Sequence, residues 1–124
     1  MANFAHLTVR LRPCEEFLVL PEATPGSDPA WFGFLLTLRE NAPVDRLDLL
    51  SYLDQQNIGT RLLFAGNATR QPYMKGRQYR ISGKLDVADT ITERSFWIGV
   101  YPGLTPEMLD HAAHSIGEFL GVGP

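Results

Sequence analysis

The sequence predicts a single small α/β (α+β) domain, a two-layer sandwich in which helices back a three-stranded sheet. Three observations predict it: the chain has only 124 residues, it contains three short apolar runs typical of strands, and amphipathic helical patterns separate these runs. Its 44% hydrophobic and 20% charged residues are typical of a soluble globular protein. Because three strands bury a modest core, we expect one face of the domain to dock on something larger.

The first half of the chain alternates helix and strand. Apolar spacing over residues 3–17 predicts an amphipathic helix with Asn3 as its N-cap, and Pro13 ends its first segment. Residues 31–39 form the clearest strand, apolar on both faces as in a central strand. Asp45 then caps a second helix. Four leucines are predicted to form the buried stripe of that helix: Leu47, Leu49, Leu50 and Leu53.

The second half contains two more strands and two more helices. Residues 60–64 and 96–101 are the strands, and residues 85–95 form a short helix between them. The last helix has the most complete end signals, since Thr105 can cap it and Gly121 can stop it, with Pro106 at its first position. Its apolar stripe contains Leu109, Ala112, Ala113, Ile116, Phe119 and Leu120.

One stretch of the chain carries only positive charge. No Asp or Glu occurs between Asp54 and Asp86, whereas six basic residues do: Arg61, Arg70, Lys75, Arg77, Arg80 and Lys84. Since the whole chain has a net charge of −3 and this stretch contributes +6, the remaining residues carry −9. Two interpretations remain open: an anionic ligand binds near this stretch, or the stretch is a solvated loop that balances acidic helices.

Few residues are candidates for catalysis or metal binding. The single cysteine, Cys14, excludes an internal disulfide or a multi-cysteine metal or cluster site, and we interpret it as a buried apolar residue. His111 and His114 have no obvious third ligand, so we interpret both as surface residues. We assign no catalytic residue and no metal ligand. No apolar run is long enough to span a membrane, and we expect a cytoplasmic protein without a nucleic-acid partner.

A resemblance to one enzyme family rests on three strings: LPEATPGSDPAWFGFLLTLRE, NIGTRLLFAGNATRQPYM and FWIGVYPGLTPEML. These strings resemble the C-terminal region of the RfbH-type CDP-4-keto-6-deoxy-D-glucose-3-dehydrases. Those enzymes are a branch of the DegT/StrS sugar-aminotransferase family, which has the aspartate-aminotransferase fold. The resemblance covers residues 3–120, and the string GTRLLFAGN followed by TRQP is specific to the dehydrase branch.

The resemblance implies that residues 1–124 are the C-terminal small domain of a larger fold-type I enzyme. The full-length family uses pyridoxal or pyridoxamine phosphate, a proton-abstracting histidine and a [2Fe–2S] cluster held by four cysteines. No residue of this chain matches the histidine or the cluster cysteines, so we expect the isolated chain to be inactive. The implied partners are a large cofactor-binding domain in cis or in trans, a CDP-sugar and a reductase.

In the family, the small domain closes over the cofactor cleft and helps to hold the nucleotide-sugar. Carried onto this chain, the resemblance implies six cleft residues: Phe32, Arg61, Phe64, Gly66, Asn67 and Arg70. The chemistry is suitable, because a guanidinium can clamp a diphosphate and an asparagine amide can both donate and accept hydrogen bonds.

Two alternatives remain open at this point. The chain could be a fragment of a DegT-type sugar aminotransferase, although the AGN–TRQP loop argues against it. It could instead be a stand-alone module that binds a nucleotide-sugar or pairs with a separate large domain. A domain made for docking exposes an apolar face when it is alone, so we also expect self-association as a homodimer.

Overall fold

The computed structural model describes residues 2–31, 33–62, 67–100 and 103–122. Its strands are β1 (Leu18–Val19), β2 (Gly33–Leu38), β3 (Thr60–Arg61) and β4 (Ser95–Gly99). Its α-helices are α1 (Ala2–Leu11), α2 (Arg46–Gln55), α3 (Asp86–Arg94) and α4 (Pro106–Leu120). Short 3₁₀ turns occur at Arg12–Cys14, Ala68–Arg70 and Pro72–Met74. Within these described ranges no helix is both long enough and apolar enough to cross a membrane.

The predicted α/β architecture is confirmed, but the predicted number of strands is wrong. Among the residues that the structure describes, the strands form one antiparallel sheet of four, in the order β1-β2-β4-β3. The additional strand is β1, whose two residues pair with the end of β2 through Leu18↔Leu38 and Val19↔Thr37. Two residues carry no periodicity of their own, so β1 exists only because β2 supplies its hydrogen-bonding partners.

The core lies against one face of the sheet. Alternate residues of β2 are buried, namely Phe34, Leu36 and Leu38, as the period of two in a strand requires. Phe96 and Ile98 of β4 join them. The apolar stripes of α1, α2 and α4 complete this single cluster of buried side chains.

The ends of α1 and α4 follow the predicted signals with one exception. The Oγ1 of Thr105 accepts a hydrogen bond from the backbone N–H of Met108 at 3.2 Å, and Gly121 ends α4 with a left-handed φ of +79°. Pro13 lies in the 3₁₀ turn that follows α1, as predicted. The N-cap assignment of Asn3 is wrong, because α1 begins at Ala2 and the Asn3 amide instead donates to the carbonyl oxygen of a residue before α4.

The predicted buried stripe of α2 is too wide. Leu49 and Leu53 are fully buried, one turn apart, whereas the side chain of Leu47 is 68% exposed. Two positions along a helix correspond to a rotation of about 200°, so Leu47 and Leu49 lie on nearly opposite sides. The helix therefore contacts the core through the side that carries Leu49 and Leu53, with Leu50 partly buried beside them, and the burial prediction for Leu47 is wrong.

Helix α3 is less buried than α1, α2 and α4. It contacts β2 and β4, yet none of its nine residues is fully buried. Polar contacts attach its end to neighbouring elements: Nη1 of Arg46 donates to the carbonyl oxygens of Thr92 at 2.5 Å and of Ser95 at 3.3 Å. The pKa of Arg46 is lowered, chiefly because partial burial disfavours the charged guanidinium.

Candidate functional site

An open groove of about 1070 Å³ lies at the end of the sheet where β2 begins and β4 ends. Its walls come from the sheet, from the turn between α2 and β3, and from the first half of α4. The lining includes Gly33, Arg61, Trp97, Gly99, Glu107 and His111. Concave, largely apolar surfaces with a few polar groups are where small ligands bind in proteins, so this groove is one candidate site.

The floor of the groove depends on a close contact between β2 and β4. Gly33 pairs with Gly99, and a Cβ atom added at Gly33 would lie 3.1 Å from the indole of Trp97. The absence of a side chain at Gly33 therefore lets the indole approach the backbone of β2. Arg61 pairs with Trp97 on the other side of β4, and it is exposed to solvent.

A polar cluster, which is the second candidate site besides the groove, surrounds Asn67. This residue is only 5% exposed. Its backbone N–H donates to Oγ1 of Thr92 at 2.6 Å, and its Nδ2 donates to Oδ1 of Asp89 at 2.7 Å. Its Oδ1 accepts from the backbone N–H and the hydroxyl of Thr69 at 3.0 and 2.6 Å. Asn67 therefore caps the turn Ala68–Arg70 and attaches that turn to α3.

Arg70, at the end of that turn, also faces α3. Its Nη1 lies 2.9 Å from Oε1 of Glu93 and 3.6 Å from Oδ1 of Asp89. The three side chains remain about half-exposed, so a ligand approaching from solvent can reach them. Among the residues that the structure describes, none of the other five basic residues of this stretch forms an ion pair.

The structure places the described cleft residues in two groups. Arg61 lines the groove, whereas Asn67 and Arg70 lie against α3. The other three predicted cleft residues, Phe32, Phe64 and Gly66, lie outside the described residues. The assignment of all six to one ligand cleft therefore stays a prediction.

Sequence reasoning missed the α3 side chains of the polar cluster. Asp89 and Glu93 are four positions apart, a spacing that places two carboxylates on one helix face and is visible in the sequence. Their partners are about 22 residues earlier in the chain, in a segment without helical or strand periodicity. No local pattern links the two segments, so their pairing becomes visible only in the fold.

The histidine and cysteine interpretations are confirmed by burial. His111 and His114 are both exposed, and Nε2 of His111 donates to the carbonyl oxygen of Gln56 at 2.8 Å. Cys14 is 2% exposed, and burial raises the pKa of its thiol. Within the described ranges, no three His, Cys, Asp or Glu side chains converge on a possible metal position.

A salt bridge connects α1 with α4 at the edge of the core. Oδ1 of Asp110 lies 2.6 Å from Nε2 of His6 and 3.0 Å from Nε of Arg10. The hydrogen bond from His6, with the nearby Arg10 charge, lowers the pKa of the Asp110 carboxyl. This cluster connects two helices and is remote in sequence from the predicted cleft residues.

Comparison with known proteins identifies the family. Residues 1–117 match the DegT/DnrJ/EryC1/StrS aminotransferase family. The lipopolysaccharide biosynthesis protein RfbH of Salmonella typhimurium is 53% identical over 121 residues, which are 98% of this chain and 28% of RfbH. The dTDP-4-dehydro-2,6-dideoxy-D-glucose 3-dehydratase of Saccharopolyspora spinosa is 50% identical over 103 residues, 83% of this chain and 22% of that protein.

A solved structure supports the fold. The GDP-4-keto-6-deoxy-D-mannose-3-dehydratase of E. coli, determined with bound hydrated PLP, superposes with a TM-score of 0.79 at 19% identity, over 93% of this chain and 29% of that chain. This chain thus spans less than a third of the length of each of these three relatives. With both the sequence match and the fold in agreement, the chain belongs to the DegT/DnrJ/EryC1/StrS aminotransferase family.

Proposed function

We propose that this chain is the C-terminal small domain of an RfbH-type 3-dehydratase of lipopolysaccharide biosynthesis. In that enzyme it would help to hold a CDP-4-keto-6-deoxy sugar while the C3 hydroxyl is removed. The observation that carries the proposal is the 53% identity to RfbH over 98% of this chain. Coverage of only 28% of RfbH supports the view that the remaining machinery belongs to another part of a larger enzyme. We propose that this enzyme is cytoplasmic.

The groove supports a role in nucleotide-sugar binding. It combines a largely apolar lining with the exposed guanidinium of Arg61, a permanent positive charge that can bind a diphosphate in a bidentate manner. Arg70 adds a second half-exposed guanidinium in the basic stretch. A nucleoside diphosphate with an attached sugar has the anionic and planar groups that such surfaces bind.

The cofactors expected in the full-length enzyme do not fit the residues of this chain. A [2Fe–2S] cluster needs several thiolates, whereas the single cysteine is buried in the core. Both lysines, Lys75 and Lys84, are exposed, and neither lines the groove. We therefore assign pyridoxal or pyridoxamine phosphate, the cluster and the reductase contact to the large domain, and we expect no dehydratase activity from this chain alone.

The nucleotide part of the proposal is tested by NMR titration of the ¹⁵N-labelled chain with CDP, followed by pyridoxamine phosphate. We expect saturable shifts of Arg61 and its neighbours with CDP. Arg61→Gln should abolish these shifts, whereas Arg12→Gln, which removes an exposed arginine next to α1, should leave them unchanged. A well-dispersed spectrum without shifts would contradict binding by the domain alone.

A stand-alone module that pairs with a separate large domain is the second candidate. It is supported by the hydrophobic core that the described helices and strands of this chain form together. The test mixes this chain with a separately produced large domain, the CDP-sugar and the reductase. Restored dehydratase activity would establish pairing in trans, and its absence with both parts folded would favour a domain that works only in cis.

Self-association is a further part of the proposal. Large apolar side chains are exposed on α2, after β3 and on α3, at Leu47, Leu62 and Val87, with 68%, 47% and 75% of their surface accessible. Exposed apolar groups favour contacts with another chain where they form a contiguous patch, and we propose such a patch and a homodimer. Sedimentation equilibrium that shows only monomer at high protein concentration would contradict it.

A further inference from the structure

Asn67 is buried and its hydrogen-bonding groups are largely used within the protein. It is 5% exposed, its side-chain oxygen accepts two hydrogen bonds from Thr69, and its Nδ2 donates to Asp89 at 2.7 Å. A side chain in this state has little capacity left for a sugar or a nucleobase. Its place in the chain, immediately before the turn that carries Arg70, indicates a different role.

The anchor that holds Asn67 is itself well supported. Oγ1 of Thr92 accepts from the backbone N–H of Asn67 at 2.6 Å and donates to the carbonyl oxygen of Ala88 at 2.8 Å. Two independent bonds, one from the backbone and one from the side chain of Asn67, therefore fix the start of the turn Ala68–Arg70 to successive turns of α3. Movement of that start would move the Arg70 backbone with it.

The two carboxylates of the cluster have different contacts. Asp89 accepts from Asn67 and lies 3.6 Å from Nη1 of Arg70. Glu93 forms its ion pair with Arg70, at 2.9 Å, and also interacts electrostatically with Arg46. Asp89 thus holds the turn, and Glu93 holds the guanidinium of Arg70. An anion that binds Arg70 through Nη1 competes with Glu93 for that donor, but it can leave the bond between Asp89 and Asn67 intact.

We propose that Asn67 is a positioning residue, which Asp89 and Thr92 hold so that Arg70 faces its anionic ligand while Glu93 competes with that ligand for the guanidinium. The ligand class is a diphosphate ester, and this part rests on the proposed nucleotide-sugar function. Asn67 itself makes no contact with the ligand.

The opposite roles of the two carboxylates provide a sharp test by calorimetric titration with CDP and with inorganic pyrophosphate. Asp89→Ala removes the acceptor for Asn67 and should weaken binding roughly tenfold. Asp89→Asn keeps an acceptor oxygen and should restore binding to at least the wild-type affinity. Glu93→Gln removes the competitor and should tighten binding about two- to threefold. Asp86→Asn is the matched control, because Asp86 is an exposed carboxylate of α3 whose side chain makes no contact with Asn67 or Arg70.

A purely electrostatic effect of α3 gives a different result. In that case every neutralised carboxylate, including Asp89 in Asp89→Ala, would tighten binding, which would overturn the positioning role. An intermolecular nuclear Overhauser effect between CDP and the Asn67 side-chain amide would also overturn it. Equal free energies of unfolding for Asp89→Ala and Asp89→Asn would exclude loss of fold as the reason for weaker binding.

Absence of binding to CDP and to pyrophosphate would contradict only the nucleotide-binding part of the proposed function, namely binding by the domain alone. Measurements without ligand decide the inference in that case as well. The side-chain amide of Asn67 should exchange with solvent at least about tenfold more slowly than that of Asn41, which is exposed. Asp89→Ala should shift the Nε–H resonance of Arg70, and Asp89→Asn should leave it near its wild-type position. Fast exchange at Asn67, or an unmoved Arg70 resonance in Asp89→Ala, would overturn the positioning role.

Discussion

Helices α3 and α4 are equally amphipathic, but they are buried very differently. Seven residues of α4 are buried, whereas α3 has none, and Val87 of α3 is 75% exposed. Helix α4 packs through apolar side chains such as Leu109 and Ile116 against α1 and α2. Helix α3 instead holds the basic stretch through Asp89, Thr92 and Glu93.

This difference separates two tasks within one small domain. Apolar burial on the α4 side provides most of the free energy of folding, because each buried aliphatic side chain contributes about 1.5–3 kcal/mol. Hydrogen bonds and exposed ion pairs on the α3 side contribute less to the free energy of folding. They fix the orientation of the side chains that they join, and they leave charged groups accessible to solvent. Amphipathicity in a sequence therefore predicts a helix, and the share of apolar residues in that helix indicates whether it is in the core.

The largest effect that this comparison predicts is a loss of stability when a buried side chain of α4 is shortened. Ile116 is fully buried, so Ile116→Ala should lower the free energy of unfolding by about 2–5 kcal/mol. Urea denaturation followed by circular dichroism measures this change. Met108→Ala, on the same helix but 54% exposed, serves as control and should change it by less than about 0.5 kcal/mol. Equal losses in the two variants would contradict the assignment of α4 to the core.

The next effect concerns the start of α4. Thr105→Ala removes the acceptor for the backbone N–H of Met108, and we expect a loss of about 1 kcal/mol in the free energy of unfolding. Thr105→Ser keeps the hydroxyl and should retain most of the stability. If both variants unfold at the same urea concentration, the cap contributes nothing and the start of α4 is held by packing alone.

A smaller effect should appear as a dependence of stability on pH. The pKa of Asp110 is lowered in the folded chain, first by the His6 hydrogen bond, so its ionised form stabilises the fold. This contribution is present above the unfolded pKa of about 4, and it is lost as pH falls through the folded value. Asp110→Asn should therefore lose less stability than the wild type between about pH 5 and pH 3.

The pH prediction is measured by urea denaturation at successive pH values. Asp28→Asn, in an exposed loop, is the control and should follow the wild-type curve. Parallel curves for the wild type and Asp110→Asn would show that the cluster between α1 and α4 does not stabilise the fold through the Asp110 charge.

The smallest effect is expected on the α3 side. Glu93→Gln breaks an ion pair whose two side chains are 45% and 55% exposed, so the free energy of unfolding should fall by only about 0.2–1 kcal/mol. The difference should shrink further in 0.5 M salt, since exposed charges are screened. A loss as large as that of Ile116→Ala would mean that the α3 side also carries the stability of the fold.

Local signals explain which elements could be predicted from the sequence. Thr105, Pro106 and Gly121 act within a few residues of their own positions, and the bounds of α4 followed directly from them. The pairing of β1 with β2 joins Leu18 to Leu38, and neither residue indicates this partner locally. Elements that depend on distant partners were therefore missed or given the wrong extent.

The same limit applies to the candidate site. The sequence indicated that Asn67 and Arg70 belong to a functional loop, because they occur in a basic stretch within a string shared with a known family. It could not indicate that Asp89 and Glu93 already contact both residues, since this depends on how α3 packs near the turn. Charge counting described the stretch as uniformly positive, whereas folding gives one of its arginines two acidic neighbours.

The contact between α1 and α4 has a consequence for the synthesis of the chain on the ribosome. His6 and Asp110 are 104 residues apart, and Leu7 and Leu11 of α1 are buried in a core to which α4 contributes. At about 5–20 residues per second, on the order of 5–20 seconds pass between the emergence of the two helices. During that interval α4 does not yet cover the apolar side of α1, so this side of the nascent domain is accessible to other proteins.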